Sequence, residues 1–139
     1  MAYAEWIIVD IINASKEELK IKNAIHQWGK FWKGVSKDNE MTAEEVDQIV
    51  VAPSSHQYIQ SCGRSGSTSG TQGCFDIYNR DATICRVSWN CPWGSKANKF
   101  KADLGKDAGT LYHLEVGPWS ADAGSIGTVE LTIMPNVIP

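Results

Sequence analysis

Apolar residues recur at every second position along most of the chain. In "LKIKNAI" they are Leu19, Ile21 and Ile25, and in "KFKADL" they are Phe100, Ala102 and Leu104. In "YHLEV" they are Tyr112, Leu114 and Val116, and in "TVELTIM" Val129, Leu131 and Ile133. A period of two puts one face of a strand on a core and the other in water, the habit of half-buried antiparallel strands. Turn clusters such as "NASKEE", "YNRDA", "LGKDAG" and "WSADAGSIG" separate these runs. Roughly eight to ten strands at this spacing predict an all-β chain, a single-domain antiparallel β-sandwich or barrel over residues 1–139. One segment breaks the pattern. "MTAEEVDQIV" places Thr42 and Glu45 at the spacing of a capping box and predicts one helical turn or an irregular loop. The Gly/Ser-rich "CGRSGSTSGTQGC" lies between two strand-like runs and reads as a long connection.

Strand parity sorts the aromatic residues. If Leu19, Ile21 and Ile25 face the core, Trp28 shares the other face with Lys20, Lys22 and His26. The strand then runs into "GKFWKG", which adds Phe31 and Trp32. Cys85, Val87 and Trp89 share a face opposite Arg86 and Ser88, so Trp89 is expected in the core. Pro92 has no N–H to donate and ends that strand, which leaves Trp93 in the turn and partly exposed. In "WIIVDII" both parities are apolar, so that strand is either buried on both sides or contributes to an exposed apolar patch. Phe75 and Ile77 look inward and send Cys74 outward, while Cys85 looks inward. A bridge between neighbouring strands needs both Cβ atoms on one face, which disfavours Cys74–Cys85.

The formal net charge is −3 and the pI about 5.5. Nucleic-acid binding needs a clustered basic surface, so no nucleic-acid partner is expected. The longest apolar run, "WIIV", is far below the roughly 20 residues of a spanning helix. "MAYAEW" has neither a basic n-region nor a long apolar h-region, so no secretory signal is expected. The chain thus reads as a soluble protein. Cys62, Cys74, Cys85 and Cys91 form no C-x-x-C pair, which argues against a structural zinc site, and no metal or cofactor is expected.

Enzyme signatures are also missing. "GSTSG" has threonine where a nucleophile elbow needs serine, and the glycine-rich stretch lacks the Gly-Lys-Ser/Thr ending of a phosphate loop. A dyad of Cys91 with His26, His56 or His113 demands geometry that the sequence does not announce. No catalytic residue is assigned. What remains is aromatic: indoles at turn and polar-face positions, with lysines nearby. Such groups suit a membrane interface, where indole sits at headgroup depth and lysine meets a phosphate, or a sugar face, on which rings stack. Composition does not separate the two.

Motifs along nearly the whole chain resemble the aegerolysin family, small all-β proteins of fungi and bacteria. They are "AYAEW" at Ala2–Trp6, "IKNA" followed by "WGK" at Trp28–Lys30, and "KDNE" at Lys37–Glu40. They continue with "CGRS", "SGTQGCFDIY", "WNCPWGSK" at Trp89–Lys96 and "GSIGTVEL" at Gly124–Leu131. The resemblance implies an actinoporin-like sandwich that is not an enzyme. It implies recognition of membrane sphingolipids, either ceramide phosphoethanolamine or sphingomyelin with cholesterol. It also implies action beside a larger membrane-attack-complex/perforin protein in a two-component pore. A soluble monomer or weak dimer would stay in the producer's cytoplasm or leave by a non-classical route, and act at the target-cell membrane. On this reading "CPWGSK" builds a lipid-headgroup corner. Trp93 lies at the acyl–headgroup boundary, Gly94 and Ser95 allow close approach, and Lys96 meets the phosphate. Trp6, Trp28 and Trp32 complete the expected lipid-binding set. The alternative is a glycan-binding lectin on the same scaffold. The chain departs from the fungal pattern in two ways. Ser67, Thr68 and Ser69 stand where some members carry an acidic residue, and Cys74 and Cys85 are additions to the usual Cys62 and Cys91 pair.

Overall fold

A computed structural model describes residues 5–136 apart from Asp81, Asp107 and Thr110. Residues 1–4 and 137–139 of the expected 1–139 domain, and with them part of the Ala2–Trp6 match, lie outside the described residues. The described residues form eleven strands and one helical turn. The strands are β1 (Trp6–Asn13), β2 (Leu19–Trp28), β3 (Lys30–Trp32), β4 (Glu40–Met41), β5 (Val50–Val51) and β6 (Ser55–Cys62). They continue with β7 (Thr71–Asn79), β8 (Ala82–Cys91), β9 (Lys99–Leu104), β10 (Tyr112–Val116) and β11 (Gly127–Pro135), and the helix is α1 (Ala43–Val46). One sheet has the order β10-β11-β1-β6-β3-β4 and the other β5-β2-β7-β8-β9. The expected sandwich is present. Its strand count exceeds eight to ten because β4 and β5 are two-residue pairings, too short to show alternation.

One pairing departs from the antiparallel expectation. β1 runs parallel to β11, with Ile7 opposite Gly127 and Asn13 opposite Ile133, while its other neighbour β6 is antiparallel. Side-chain alternation is the same in both kinds of pair, so the pattern carries no direction. Inward residues of the two sheets meet in one core. Ile7, Val9 and Ile11 of β1 and Val129, Leu131 and Ile133 of β11 are buried against Ile21, Phe75, Ile77 and Val87 of the facing sheet. The outward residues of β1, Trp6, Ile8, Asp10 and Ile12, are half-buried. That strand is therefore not buried on both sides.

Ile25 was expected inside and is half exposed. Asn23 takes a left-handed backbone conformation (φ 58°), and the register with β7 slips between Lys22 and Ile25. This bulge reverses the parity, so Ala24 points inward in place of Ile25. Local partners hold it. The Ala24 N–H donates to Asp47 Oδ1 at 3.0 Å, and Asn23 Nδ2 donates to Asp76 at 2.9 Å. His26 therefore leaves the polar face and meets Phe31 edge-on at 5.4 Å. A second irregularity between His26 and Trp28 turns the tryptophan out again. Leu104 and Val116 also remain over 40% exposed, at 43% and 42%. Each lies at the end of an edge strand, with a neighbour on one side only.

The capping box predicted from Thr42 and Glu45 is complete. Thr42 Oγ1 accepts from the Glu45 N–H at 3.1 Å, and Glu45 Oε1 accepts from the Thr42 N–H at 3.0 Å. All four cysteines are free thiols, Cys74 on the outer face and Cys85 in the core.

The outer face of the second sheet carries a buried carboxylate. Burial alone would raise the Asp76 pKa. Arg86 donates twice, at 2.7 and 3.1 Å, and with Asn23 outweighs that effect, so the carboxyl sits below its usual range. A carboxylate with a lowered pKa stabilises the fold above the unfolded value, near pH 4, and the benefit is lost as pH falls through the folded value. Thermal melts should therefore show Asp76→Asn less stable than the parent at pH 7, with the gap closing below about pH 4. A gap that stays constant down to pH 2 would contradict this origin.

Candidate functional site

At one end of the sandwich β1, β3, β7, β9 and β11 begin and β2, β6, β8 and β10 end. All six tryptophans lie at or near that end. Trp28 closes β2 and is 58% exposed. The next residue, Gly29 (φ 85°), carries the chain from one sheet to the other. A Cβ there would stand 2.4 Å from the Cys62 carbonyl oxygen, so only glycine makes the crossing. β8 stops before Pro92, and Trp93 follows in the turn at 51% exposure. Gly94, Ser95 and Lys96 are all exposed in the same turn.

The glycine-rich connection, residues 63–70, folds down onto the end of β8. A Cβ on Gly70 would lie 1.9 Å from the Cys91 carbonyl oxygen, so the two segments touch through backbone. Arg64 ties the start of the connection to Glu40 with a bidentate pair at 3.0 and 2.9 Å. Within it, Ser67 and Ser69 share a hydroxyl hydrogen bond at 2.6 Å. The result is an open cavity of about 310 Å³ walled by Trp28, Trp93, Lys96, Thr68 and Ser69. Gln72 and Asn90, a cross-strand pair beside Trp28, complete it. Sequence reasoning passed over these two amides. Their outward parity at the ends of β7 and β8 was the available signal.

A buried chain of hydrogen bonds underlies this end. Trp89 Nε1 donates to Thr71 Oγ1 at 3.0 Å, and Ser61 Oγ donates to the Lys30 carbonyl at 2.8 Å. The Thr71 and Ser61 hydroxyls are 2.6 Å apart, and with those two directions set, Thr71 donates to Ser61. The chain runs from one sheet to the other and fixes the wall from which Trp28 and Trp93 project. On the far side, Asn98 Nδ2 donates to the carbonyls of Ser120, Asp122 and Gly124, which holds the 117–126 connection and packs Trp119 against Phe100.

The other two expected residues do not join this cavity. Trp6 and Trp32 line a second one, of about 710 Å³, on the outer face of the first sheet. Trp32 was expected to be exposed and is only 3% so. Phe31 takes the core side of β3, so Trp32 takes the outer side, where residues 33–39 fold over it. Lys37 places its ammonium 5.5 Å from the Trp32 ring and 5.2 Å from that of Trp6. The expected set is thus two groups. Trp28, Trp93, Gly94, Ser95 and Lys96 belong to one corner, and Trp6 and Trp32 to a neighbouring face.

Two exposed indoles, one exposed ammonium and two hydroxyls make a surface that suits a ligand with an apolar body and anionic oxygens. Nucleophilic chemistry has no support from Cys91. Burial pushes its thiol up to about 12, and it donates to the Gly124 carbonyl at 3.3 Å and lies 3.6 Å from the Glu5 carboxylate. Among the described residues no helix is long and apolar enough to cross a membrane.

The aegerolysin family model matches residues 4–136. The chain is 45% identical over 133 residues to Asp-hemolysin of Aspergillus fumigatus, covering 95% of this chain and 94% of that one. It is 35% identical over 132 residues to ostreolysin A6 of Pleurotus ostreatus, covering 93% and 94%. The fold superposes on the crystal structure of RahU protein in complex with a Tris molecule with a TM-score of 0.90, at 37% identity and over 99% and 100% of the two chains.

Proposed function

The chain belongs to the aegerolysin family, and from that premise we propose that it is a non-enzymatic membrane-lipid-binding protein. Its recognition corner is the cavity between the 63–70 connection and the "CPWGSK" turn. The observation that carries this reading is the pair of indoles, Trp28 and Trp93, each more than half exposed beside Lys96 at one tip of an otherwise well-packed sandwich. Indole at a bilayer lies at headgroup depth, and an ammonium on a flexible stem reaches the lipid phosphate. The names of two relatives, a hemolysin and an ostreolysin, speak of lysis. The lipid class we assign is sphingolipid, with ceramide phosphoethanolamine ahead of sphingomyelin with sterol. The lytic step we assign to a separate membrane-attack-complex/perforin-type partner.

Sedimentation with liposomes tests the lipid assignment. Vesicles containing ceramide phosphoethanolamine should pull the protein down and pure phosphatidylcholine vesicles should not, with free sugars giving no competition. Equal sedimentation with both vesicles would remove the selectivity, and competition by a sugar would favour a lectin. Dye release from the same vesicles should stay low with this protein alone. Strong release by it alone would overturn the two-component assignment.

A further inference from the structure

The second cavity is outside the headgroup corner, and its lining has a consistent chemistry. One wall is apolar, formed by Trp6, Ile8, Trp32 and Met41. The polar side chains at it are Lys33, Lys37, Tyr58 and the amides of Gln57 and Gln60, and no described Asp or Glu lines it. Lys33 meets Glu45 only at 3.9 Å with both side chains in water, a pairing that hardly reduces its field. Lys37 is held over the two indole faces, which fixes a positive charge at the mouth of an apolar recess. The Trp32 ring borders the recess, while its Nε1 is buried out of reach of solvent. The volume, about 710 Å³, suits a small ligand.

From these features we infer that this cavity binds a single-chain anionic amphiphile. The aliphatic chain lies along Ile8, Met41 and the indoles. The anionic oxygens meet Lys37 at the mouth. A cationic amphiphile has the same apolar contacts but faces two lysines with no described carboxylate on the wall.

Isothermal titration of the purified chain with dodecanoate, below its micelle concentration and without any bilayer, tests this. Saturable one-to-one binding is expected, with dodecyltrimethylammonium at least about tenfold weaker. Lys37→Met keeps the stem over the rings and removes the charge; it should weaken dodecanoate about tenfold while the melt is unchanged. Trp93→Ala, which alters the other cavity, should bind dodecanoate as the parent does. The inference falls if dodecanoate shows no saturable binding or if the cationic analogue binds equally. It falls equally if Lys37→Met binds unchanged or if Trp93→Ala abolishes binding. Since no bilayer is present, failure here leaves the sphingolipid assignment standing, and failure of that assignment leaves this one standing.

Discussion

Trp89→Ala is expected to lower the stability of the fold by about 3–5 kcal/mol, a large part of the roughly 5–15 kcal/mol that holds a domain together. Trp89 is 3% exposed and packs against Phe31 and Phe75 at ring distances of 6.1 and 6.0 Å. Truncation would leave an indole-sized void between two sheets whose backbones are fixed by their ladders, so collapse would be incomplete. It would also remove the donor at the head of the hydrogen-bond chain through Thr71 and Ser61. The site is fitted from the opposite strand as well. A Cβ on Gly73 would stand 2.7 Å from Trp89 Cζ2 and 2.4 Å from the Ile25 carbonyl oxygen. Gly73→Ala should therefore destabilise too, because a backbone contact cannot rotate away. Urea unfolding of both variants decides the matter. A loss below about 1 kcal/mol for Trp89→Ala, within the ordinary range of single substitutions, would show that the indole is not a core element.

Trp28→Ala and Trp93→Ala should behave in the opposite sense. Each is expected to weaken binding to sphingolipid vesicles about tenfold or more, the equivalent of about 1.4 kcal/mol, with melts that shift little. More than half of each side chain already faces water, so removing it vacates little packed volume. Lys96→Ala should weaken binding by less at high ionic strength than at low, because an exposed ammonium acts through a screened charge. Trp32→Ala separates the two cavities. Its burial predicts a melt that falls as with Trp89→Ala, unlike the binding-only loss of Trp28→Ala. Liposome affinities and thermal melts on the same four tryptophan variants test the whole set. A melt for Trp93→Ala as low as that for Trp89→Ala would place Trp93 in the core and remove the headgroup corner.

The inner face of the sandwich was legible wherever alternation ran unbroken. Val129, Leu131 and Ile133, Cys85, Val87 and Trp89, and Ile7, Val9 and Ile11 are buried as their parity requires. The capping box was legible because its two hydrogen bonds join residues three apart. Ile25 was misplaced because parity is conserved only along a regular strand. A single left-handed residue, Asn23, reverses it, and nothing local distinguishes that asparagine from one in an extended strand. Asp47 and Asp76, which hold the bulge, lie 23 and 53 residues away.

The candidate site divides in the same way. The sequence by itself determined which residue types stand at the strand ends: indole, proline, glycine and lysine in "CPWGSK", and indole before the glycine in "WGK". It also determined that Trp89 faces inward and that Trp93 follows a strand break, since both depend on neighbours within four residues. Only the tertiary structure decided which of these residues share a surface. The Gly29 crossing, the backbone contact of Gly70 with Cys91, and the fold of residues 33–39 over Trp32 put Trp28 beside Trp93 and separate both from Trp6 and Trp32. The two glycine contacts, Gly29 with Cys62 and Gly70 with Cys91, join segments far apart along the chain. Their physical cause is close backbone packing, which depends on where the partner segment lies and leaves no periodic trace in the sequence.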